Sequence, residues 1–238
     1  MDKKKVLNYH SISDDIHRDI LNDVYKEHQK LPSERELIER FHVSRMTIRQ
    51  AIDYMVKQGF VYRIAGRGAF VSPVRFLRGN KITSFTQSMM EMNYPVTNKV
   101  LLIEKNKASK KLADIFQINE QDDVYHLIRI RYAQKIVMAY EVIYVPACLF
   151  HEFEKFDFEH DSLFRIYQEE YGQKFQYNEE EVSATYVDDE IAKVLYGKNT
   201  GVSLQVTCTL YNQYQQAIEY GISYYHYDRY RYHNVSLK

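Results

Sequence analysis

Leu31-Pro32-Ser33-Glu34-Arg35-Glu36-Leu37, followed shortly by Val43-Ser44-Arg45-Met46-Thr47-Ile48-Arg49-Gln50-Ala51, is the stretch on which the reading of this chain turns. Pro32 interrupts any preceding helix, and Ser33 and Glu36 have the S-x-x-E spacing of a capping box. The Ser33 hydroxyl can accept from the N–H at Glu36, whose carboxylate reaches back. A short helix with Leu37, Ile38 and Phe41 inward is therefore predicted, interrupted near His42-Val43. Ser44 offers a second N-cap, for a helix that Gly59 would end. At roughly 100° per residue, Ile48, Ala51, Ile52, Met55 and Val56 gather on one sector. Arg45, Met46, Arg49, Gln50, Asp53 and Lys57 fall opposite. Two capped helices separated by about three residues, the second with Arg at i and i+4 on its outer face, describe a helix-turn-helix. Guanidinium groups pair bidentately with guanine edges or phosphates, and the amides at a helix start also favour a phosphate.

The flanks extend the pattern. Upstream, Ile12, Ile16 and Ile20 recur every four residues, continued by Leu21 and Val24, as a helix requires. Downstream, Phe60-Val61-Tyr62-Arg63-Ile64 reads as a strand, Ala65-Gly66-Arg67-Gly68 as a turn, and Ala69-Phe70-Val71 as the return. This is a short hairpin, or wing, with Arg67 at its tip, shaped to lay an arginine along a minor groove. A Gly-Arg-Gly turn or a helix with two outward arginines is ordinary by itself; the order and spacing are what is specific. Together the segments around Ser33, Ser44, Gly59-Phe60-Val61 and Gly66-Arg67-Gly68 resemble the winged helix-turn-helix of GntR-family bacterial transcription regulators, over about residues 8–72. The resemblance implies that Arg35, Arg45, Thr47 and Arg49 lie against DNA, and that Ser33, Ser44, Gly66 and Arg67 make backbone or minor-groove contacts. It also implies an influence of Met46 on base preference.

Composition sets the surroundings. The 238 residues are 45% hydrophobic and 27% charged, with eight Gly and four Pro, which excludes collagen-like and low-complexity classes. No apolar run approaches the roughly 18–20 residues of a spanning helix. Met1-Asp2-Lys3-Lys4-Lys5 has no apolar stretch behind it, so a secretory signal is not expected and the chain is read as cytoplasmic. Cys148 and Cys208 cannot build a disulfide framework and lack a C-x-x-C spacing for zinc; no metal and no cofactor is expected. The formal net charge is zero, yet residues 1–81 hold 16 Lys+Arg against 10 Asp+Glu, and the remainder 16 against 22. Of 22 tyrosines, 18 lie after residue 81. A basic third followed by an acidic, Tyr-rich remainder points to two domains with different partners.

Residues 73–81 lack a sustained period and are read as a linker whose positive charge could hold the reader near phosphate. Beyond it, strands are expected near 97–105, 123–132, 136–146, 176–187, 203–212 and 217–227, and helices near 84–92, 108–116, 161–171 and 188–196. The fold class is α+β: a winged helix-turn-helix over 1–72 and, over 82–238, an α/β effector-binding and dimerisation domain with a mainly antiparallel sheet. Alternation along Tyr125–Tyr132 puts Ile128 and Ile130 on one face and Arg129 and Arg131 on the other. Two guanidiniums about 7 Å apart at their Cα atoms repel unless water or an anion lies between them, although an ordinary exposed strand face would show the same alternation. Glu141 sits amid Ala139, Ile143 and Val145, as a pocket carboxylate or a salt-bridge partner would. Thr83-Ser84-Phe85-Thr86 marks a helix start where hydroxyls and amides could hold an anion.

These pieces, with Glu219-Tyr220-Gly221-Ile222-Ser223-Tyr224-Tyr225-His226-Tyr227-Asp228-Arg229-Tyr230, resemble the histidine-utilisation-repressor-like (HutC) branch of GntR regulators, over roughly 81–232. Its effector domain is related in fold to chorismate lyase. The resemblance implies an effector site for a sugar phosphate. Amides of Phe85 and Thr86 would frame the anion and Arg129 and Arg131 would pair with it. Ser162 would donate a hydroxyl, Glu141 and Glu219 would accept from hydroxyl or amine groups, and Tyr225 would line the site. Two positions depart: Phe164 stands where such members often have Tyr, and His226 replaces the usual Arg. The leading reading is a ligand-responsive repressor of a carbohydrate or amino-sugar operon, a homodimer on a palindromic operator with no membrane partner. Two others stay open: a constitutive DNA-binding protein whose C-terminal domain only dimerises, and an enzyme acting on the ligand. The second lacks a recognisable nucleophile–base pair, so no catalytic residue is assigned.

Overall fold

The computed structural model describes residues 8–79 and 81–232, which fall into two compact units divided between Val74 and Arg75. In the first, α1 (Tyr9–Leu21) is opened by Asn8, whose side chain accepts from the Ser11 N–H at 2.9 Å while Ser11 Oγ accepts from the Asn8 N–H at 3.1 Å. α2 (Glu34–Phe41) has the capping box expected of Ser33 and Glu36, with the Ser33 N–H donating to the Glu36 carboxylate at 2.7 Å. His42, at φ 53°, ends α2 in the left-handed region, and α3 (Arg45–Lys57) starts behind the Ser44 cap. β1 (Val61–Ile64) and β2 (Gly68–Val71) form the antiparallel wing, with Gly66 and Gly68 at φ 71° and 108°. Ile12, Ile16, Leu37, Ile48, Ala51, Met55 and Val71 are all fully buried and make the core.

Two apolar residues expected inward are exposed. Val24 lies past the end of α1, where Asp23 at φ 59° takes the chain out of helical phase. Val56 sits about 80° around the helix from Ile48, at the rim of the apolar sector rather than its centre.

The second unit is built on a six-stranded sheet, every neighbouring pair antiparallel, in the order β4-β5-β6-β9-β8-β7. Its strands are β4 (Val96–Lys107), β5 (Asp123–Ala133), β6 (Ile136–Pro146), β7 (Phe175–Val187), β8 (Gly201–Asn212) and β9 (Ala217–His226). All six fall where alternation placed them, because each has one face on a core and one toward water or a helix. Leu127, Ile143, Val145, Leu210 and Ile218 meet Phe150, Phe153, Ile166 and Tyr167 on one face. Ile130 and Tyr140 meet Ile191, Ala192 and Leu195 of α7 (Asp189–Tyr196) on the other. α4 (Phe85–Glu91) and α5 (Lys110–Phe116) also follow expectation.

Two stretches do not. The helix expected over 161–171 is one α-turn, α6 (Leu163–Arg165), continued by a π-turn over Ile166–Glu170. The wider turn buries the neighbours Ile166 and Tyr167 together. The second is the stretch read as a linker, where Phe76–Arg78 form a strand, β3, paired in parallel with β10 (Tyr230–Tyr232). Its two arginines are engaged within the unit. Arg75 donates to the Asp228 carboxylate at 2.8 Å, and Arg78 is buried against Glu180. No local period announces β3 because its partner lies some 150 residues away. The tyrosines near the end divide similarly, Tyr225 and Tyr230 buried, Tyr227 and Tyr232 exposed.

Candidate functional site

In the first unit the outer face of α3 carries Arg45, Met46 and Arg49, their side chains largely exposed. Thr47 Oγ1 lies 2.9 Å from the hydroxyl of Ser44, whose Oγ accepts from the Thr47 N–H at 3.2 Å, fixing the start of the helix. Glu34, at the start of α2, organises the arginines. Its carboxylate accepts from Nε of Arg45 at 3.0 Å and from Nε of Arg49 at 3.0 Å. The Arg45 hydrogen bond, opposed by slight burial and helped by Arg49, holds the Glu34 carboxyl below its ordinary range. Because the bonds run through Nε, the Nη groups of both arginines take no partner among the described residues. Arg35 is exposed and held by Glu39 at 3.0 Å. Ser33 is consumed as a cap. Gly66 and Arg67 form the exposed wing tip, with the Arg67 guanidinium 5.9 Å from the Phe70 ring centroid.

In the second unit a cavity of about 670 Å³, its open mouth included, lies against the sheet. Phe85, Arg129, Arg131, Glu141, Ser162, Glu219 and Tyr225 all line it, as do Phe164 and Ser223. Thr86 does not; it lines the adjoining groove shared through Ser84, Ser162 and Phe164, and its hydroxyl accepts from Arg131 Nη2 at 3.0 Å. Phe164 packs on Phe175 with ring centroids 4.6 Å apart. His226 lies outside, where its Nδ1 accepts from the Asp228 N–H at 3.2 Å and orders the turn into β10.

The alternative of an ordinary exposed strand face for Arg129 and Arg131 does not hold, and a carboxylate lies where water or an anion was expected between them. Arg129 is 1% exposed and Arg131 5%. β6 sets Glu141 directly opposite Arg129, and its two oxygens accept from Arg129 Nε at 2.5 Å and from Arg131 Nη1 at 3.1 Å. One carboxylate thus bridges both cations. Arg131 also donates to Asn98 Oδ1 at 3.2 Å, and its guanidinium lies 4.4 Å from the Phe85 ring centroid. Burial alone would raise the Glu141 carboxyl, but Arg129 and Arg131 hold it below its ordinary value. Arg129 Nη1, by contrast, is buried with no partner.

Glu219 behaves oppositely. Burial, with Glu141 adding to it, pushes its carboxyl up to about 7, against a hydrogen bond from the Tyr167 hydroxyl at 2.7 Å. Arg78, Glu180 and Tyr230 are among the lining residues outside the sequence-based set. Arg78 sits in the supposed linker, and Glu180 is the middle of three consecutive glutamates on β7. Tyr230 stands in the quoted C-terminal segment, where nothing local separates it from the other tyrosines. The cavity therefore holds three guanidiniums, of Arg78, Arg129 and Arg131, against two paired carboxylates and a Glu219 that burial keeps largely protonated below about pH 7. Such a balance favours an anionic occupant.

Comparison with known proteins finds a family match in each unit. Residues 8–71 match the family described as bacterial regulatory proteins, gntR family, and residues 91–231 match the UTRA domain. The HTH-type transcriptional repressor NagR of Bacillus subtilis is 29% identical over 225 residues, covering 93% of this chain and 91% of that protein. The mannosyl-D-glycerate transport/metabolism system repressor MngR of Escherichia coli is 34% identical over 143 residues, 60% of each chain. Among solved structures, PhnF from Mycobacterium smegmatis superposes with a TM-score of 0.74 at 21% identity, over 95% of this chain and 99% of that one, a likeness of fold.

Proposed function

The chain belongs to the GntR family of bacterial regulatory proteins and carries a UTRA domain, and from this we propose that it is a transcription repressor released from its operator by a hydroxylated anion, a phosphorylated sugar in the leading case. The family is one of transcription regulators rather than enzymes. The reader is residues 1–72 and the ligand-binding and dimerising domain 82–238. In the reader Arg45 and Arg49 take base edges or phosphates through their Nη groups, Thr47 and Arg35 flank them, and Arg67 follows the minor groove from the wing. Ser33, Ser44 and Gly66 bring backbone close to phosphate. Two copies of the chain in the cytoplasm set their α3 helices in major grooves about one turn apart on a palindromic site. That MngR is named for mannosyl-D-glycerate metabolism supports a carbohydrate-related ligand.

One observation carries the ligand half of this reading: Arg129 Nη1, buried in the cavity wall, has no acceptor. A buried donor left unsatisfied costs about 1–3 kcal/mol, and a ligand oxygen would supply what is missing. Arg131, Ser162 and the start of α4 at Phe85 and Thr86 surround the same anion, while Glu141, Glu219 and Tyr225 face the rest of the ligand. The ligand favours a domain arrangement whose reader spacing mismatches the operator, and its affinity differs between the two states by the coupling energy.

The test is a thermal-shift screen of sugar phosphates and amino-sugar phosphates, followed by gel shifts with DNA from upstream of the gene. A metabolite that raises Tm should also release the DNA. Metabolites that do neither would leave a constitutive binder. Arg49→Ala should weaken specific binding by about 1–3 kcal/mol if it reads a base, with the unfolding midpoint little changed because the side chain is half exposed. Unaltered operator affinity by fluorescence anisotropy at fixed salt would remove Arg49 from the contact.

A further inference from the structure

One wall of the cavity is the β3–β10 ribbon, from which Phe76, Arg78 and Tyr230 face inward. The Arg78 guanidinium is fully engaged. Its Nε donates to Glu180 Oε2 at 3.1 Å, its Nη2 to Glu180 Oε1, and its Nη1 to the Thr83 carbonyl at 2.7 Å. Tyr230 is not. Its ring packs between Phe76, at 5.7 Å between centroids, and Tyr225, at 4.6 Å, and the residue is only 2% exposed. Its hydroxyl is buried with no hydrogen-bond partner. Packing explains the ring but not the oxygen, since phenylalanine would fill the same space without an unsatisfied polar group.

Among the described residues, Arg129 Nη1 and the Tyr230 hydroxyl are the two lining groups left in that condition. They come from different sheets, one from the centre of β5 and the other from the ribbon. An occupant that satisfies both needs an oxygen for the guanidinium and a hydrogen-bonding group for the phenol. A hydroxylated phosphate can meet both, with its anion at Arg129 and a neutral hydroxyl at Tyr230; inorganic phosphate held at Arg129 brings no sugar hydroxyl to the phenol.

We propose that Tyr230 is a specificity-determining residue of this cavity: its hydroxyl takes a neutral hydroxyl of the ligand whose anion Arg129 holds, and so ties the β3–β10 ribbon to occupancy. The proposal rests on the ligand-site reading above and adds to it the residue that tells a sugar phosphate from a bare anion. The ribbon suits this role by its place in the chain. β3 follows Val74, the last residue of the first unit, after a single residue, and the Phe76 N–H anchors it to the Arg229 carbonyl at 2.8 Å. A ligand bond to Tyr230 therefore restrains the segment through which the two units are covalently joined.

The experiment uses the full chain, wild type and Tyr230→Phe, with glucose 6-phosphate, glucosamine 6-phosphate, fructose 6-phosphate and inorganic phosphate as calorimetric titrants. In the wild type at least one hexose phosphate should bind more tightly than inorganic phosphate. Tyr230→Phe should weaken that sugar about fivefold or more while leaving phosphate within about twofold, and the unliganded variant should melt no lower than wild type. Amide exchange across 76–78 should slow on adding the sugar to wild type and stay unchanged in the variant at saturating sugar. Equal sugar affinity in both proteins, or an equal loss for sugar and phosphate, overturns the role of Tyr230 alone. A wild type that binds none of the four titrants overturns the ligand-site reading, and this proposal with it.

Discussion

Replacing Glu141 with Ala is expected to destabilise the second unit by about 3–5 kcal/mol, because it removes the one carboxylate that serves two buried guanidiniums. Arg129 and Arg131 lie on alternate positions of β5 and cannot turn to solvent without leaving the sheet. With Glu141 present, each cation has an oxygen at hydrogen-bond distance. Without it, two like charges share a low-dielectric site, and their repulsion adds to the uncompensated cost of burial. For a unit of this size the loss corresponds to a fall in Tm of about 10 °C. A second measurement separates this electrostatic account from simple cavity formation. Inorganic phosphate or sulfate should raise the Tm of Glu141→Ala more than that of wild type, since an anion binding only the folded variant stabilises it by mass action. A variant that melts within about 2 °C of wild type, whatever anion is added, would show that the bridge contributes little.

The second large effect is a pH dependence centred on Glu219. The folded protein keeps a proton on this carboxyl up to about pH 7, whereas the unfolded chain releases it near 4.5. Between these values the folded state binds more protons than the unfolded one, so stability falls as pH rises. The penalty is absent below the unfolded value and complete above about 7, where the shift corresponds to roughly 3 kcal/mol. Burial is its main source; the Tyr167 hydroxyl offsets part of it, and Glu141 adds to it. Glu219→Gln carries a neutral amide at all pH values. Its unfolding free energy should match wild type near pH 4.5 and exceed it by about 3 kcal/mol at pH 8. The check is denaturant unfolding of both proteins across that range. A difference that does not vary with pH would mean that Glu219 titrates as an ordinary carboxyl.

These two glutamates mark where sequence reading stops. Both could be singled out by position, Glu141 from its apolar neighbours and Glu219 from the C-terminal segment, yet their ionisation is opposite. What separates them is the distance to Arg129 and Arg131, set by strand register. β6 places Glu141 against Arg129, while β9 places Glu219 opposite Leu210 of β8 and within reach of Tyr167. The same limit hid Arg78. Its partner Glu180 is 102 residues away, and neither carries a local signal. The π-turn at Ile166–Glu170, where Ile166 and Tyr167 are both buried, likewise has no local signal in the sequence.

The chain alone determined the starts of α2 and α3, its wing and the positions of its six sheet strands. Capping residues act three positions away, the wing turn sets Gly66 and Gly68 at the positive φ that glycine adopts most readily, and alternation is a property of each strand separately. Sequence also supplied the outward arginines of α3, because a helix face follows from spacing. Tertiary structure decided everything that depends on which strands become neighbours: the strand hidden in the supposed linker, the carboxylate shared by two arginines, and the buried donors of Arg129 and Tyr230 left without acceptors. Those outcomes are sums of burial and Coulomb energies between residues far apart in the chain, and such sums have no value until the chain has folded.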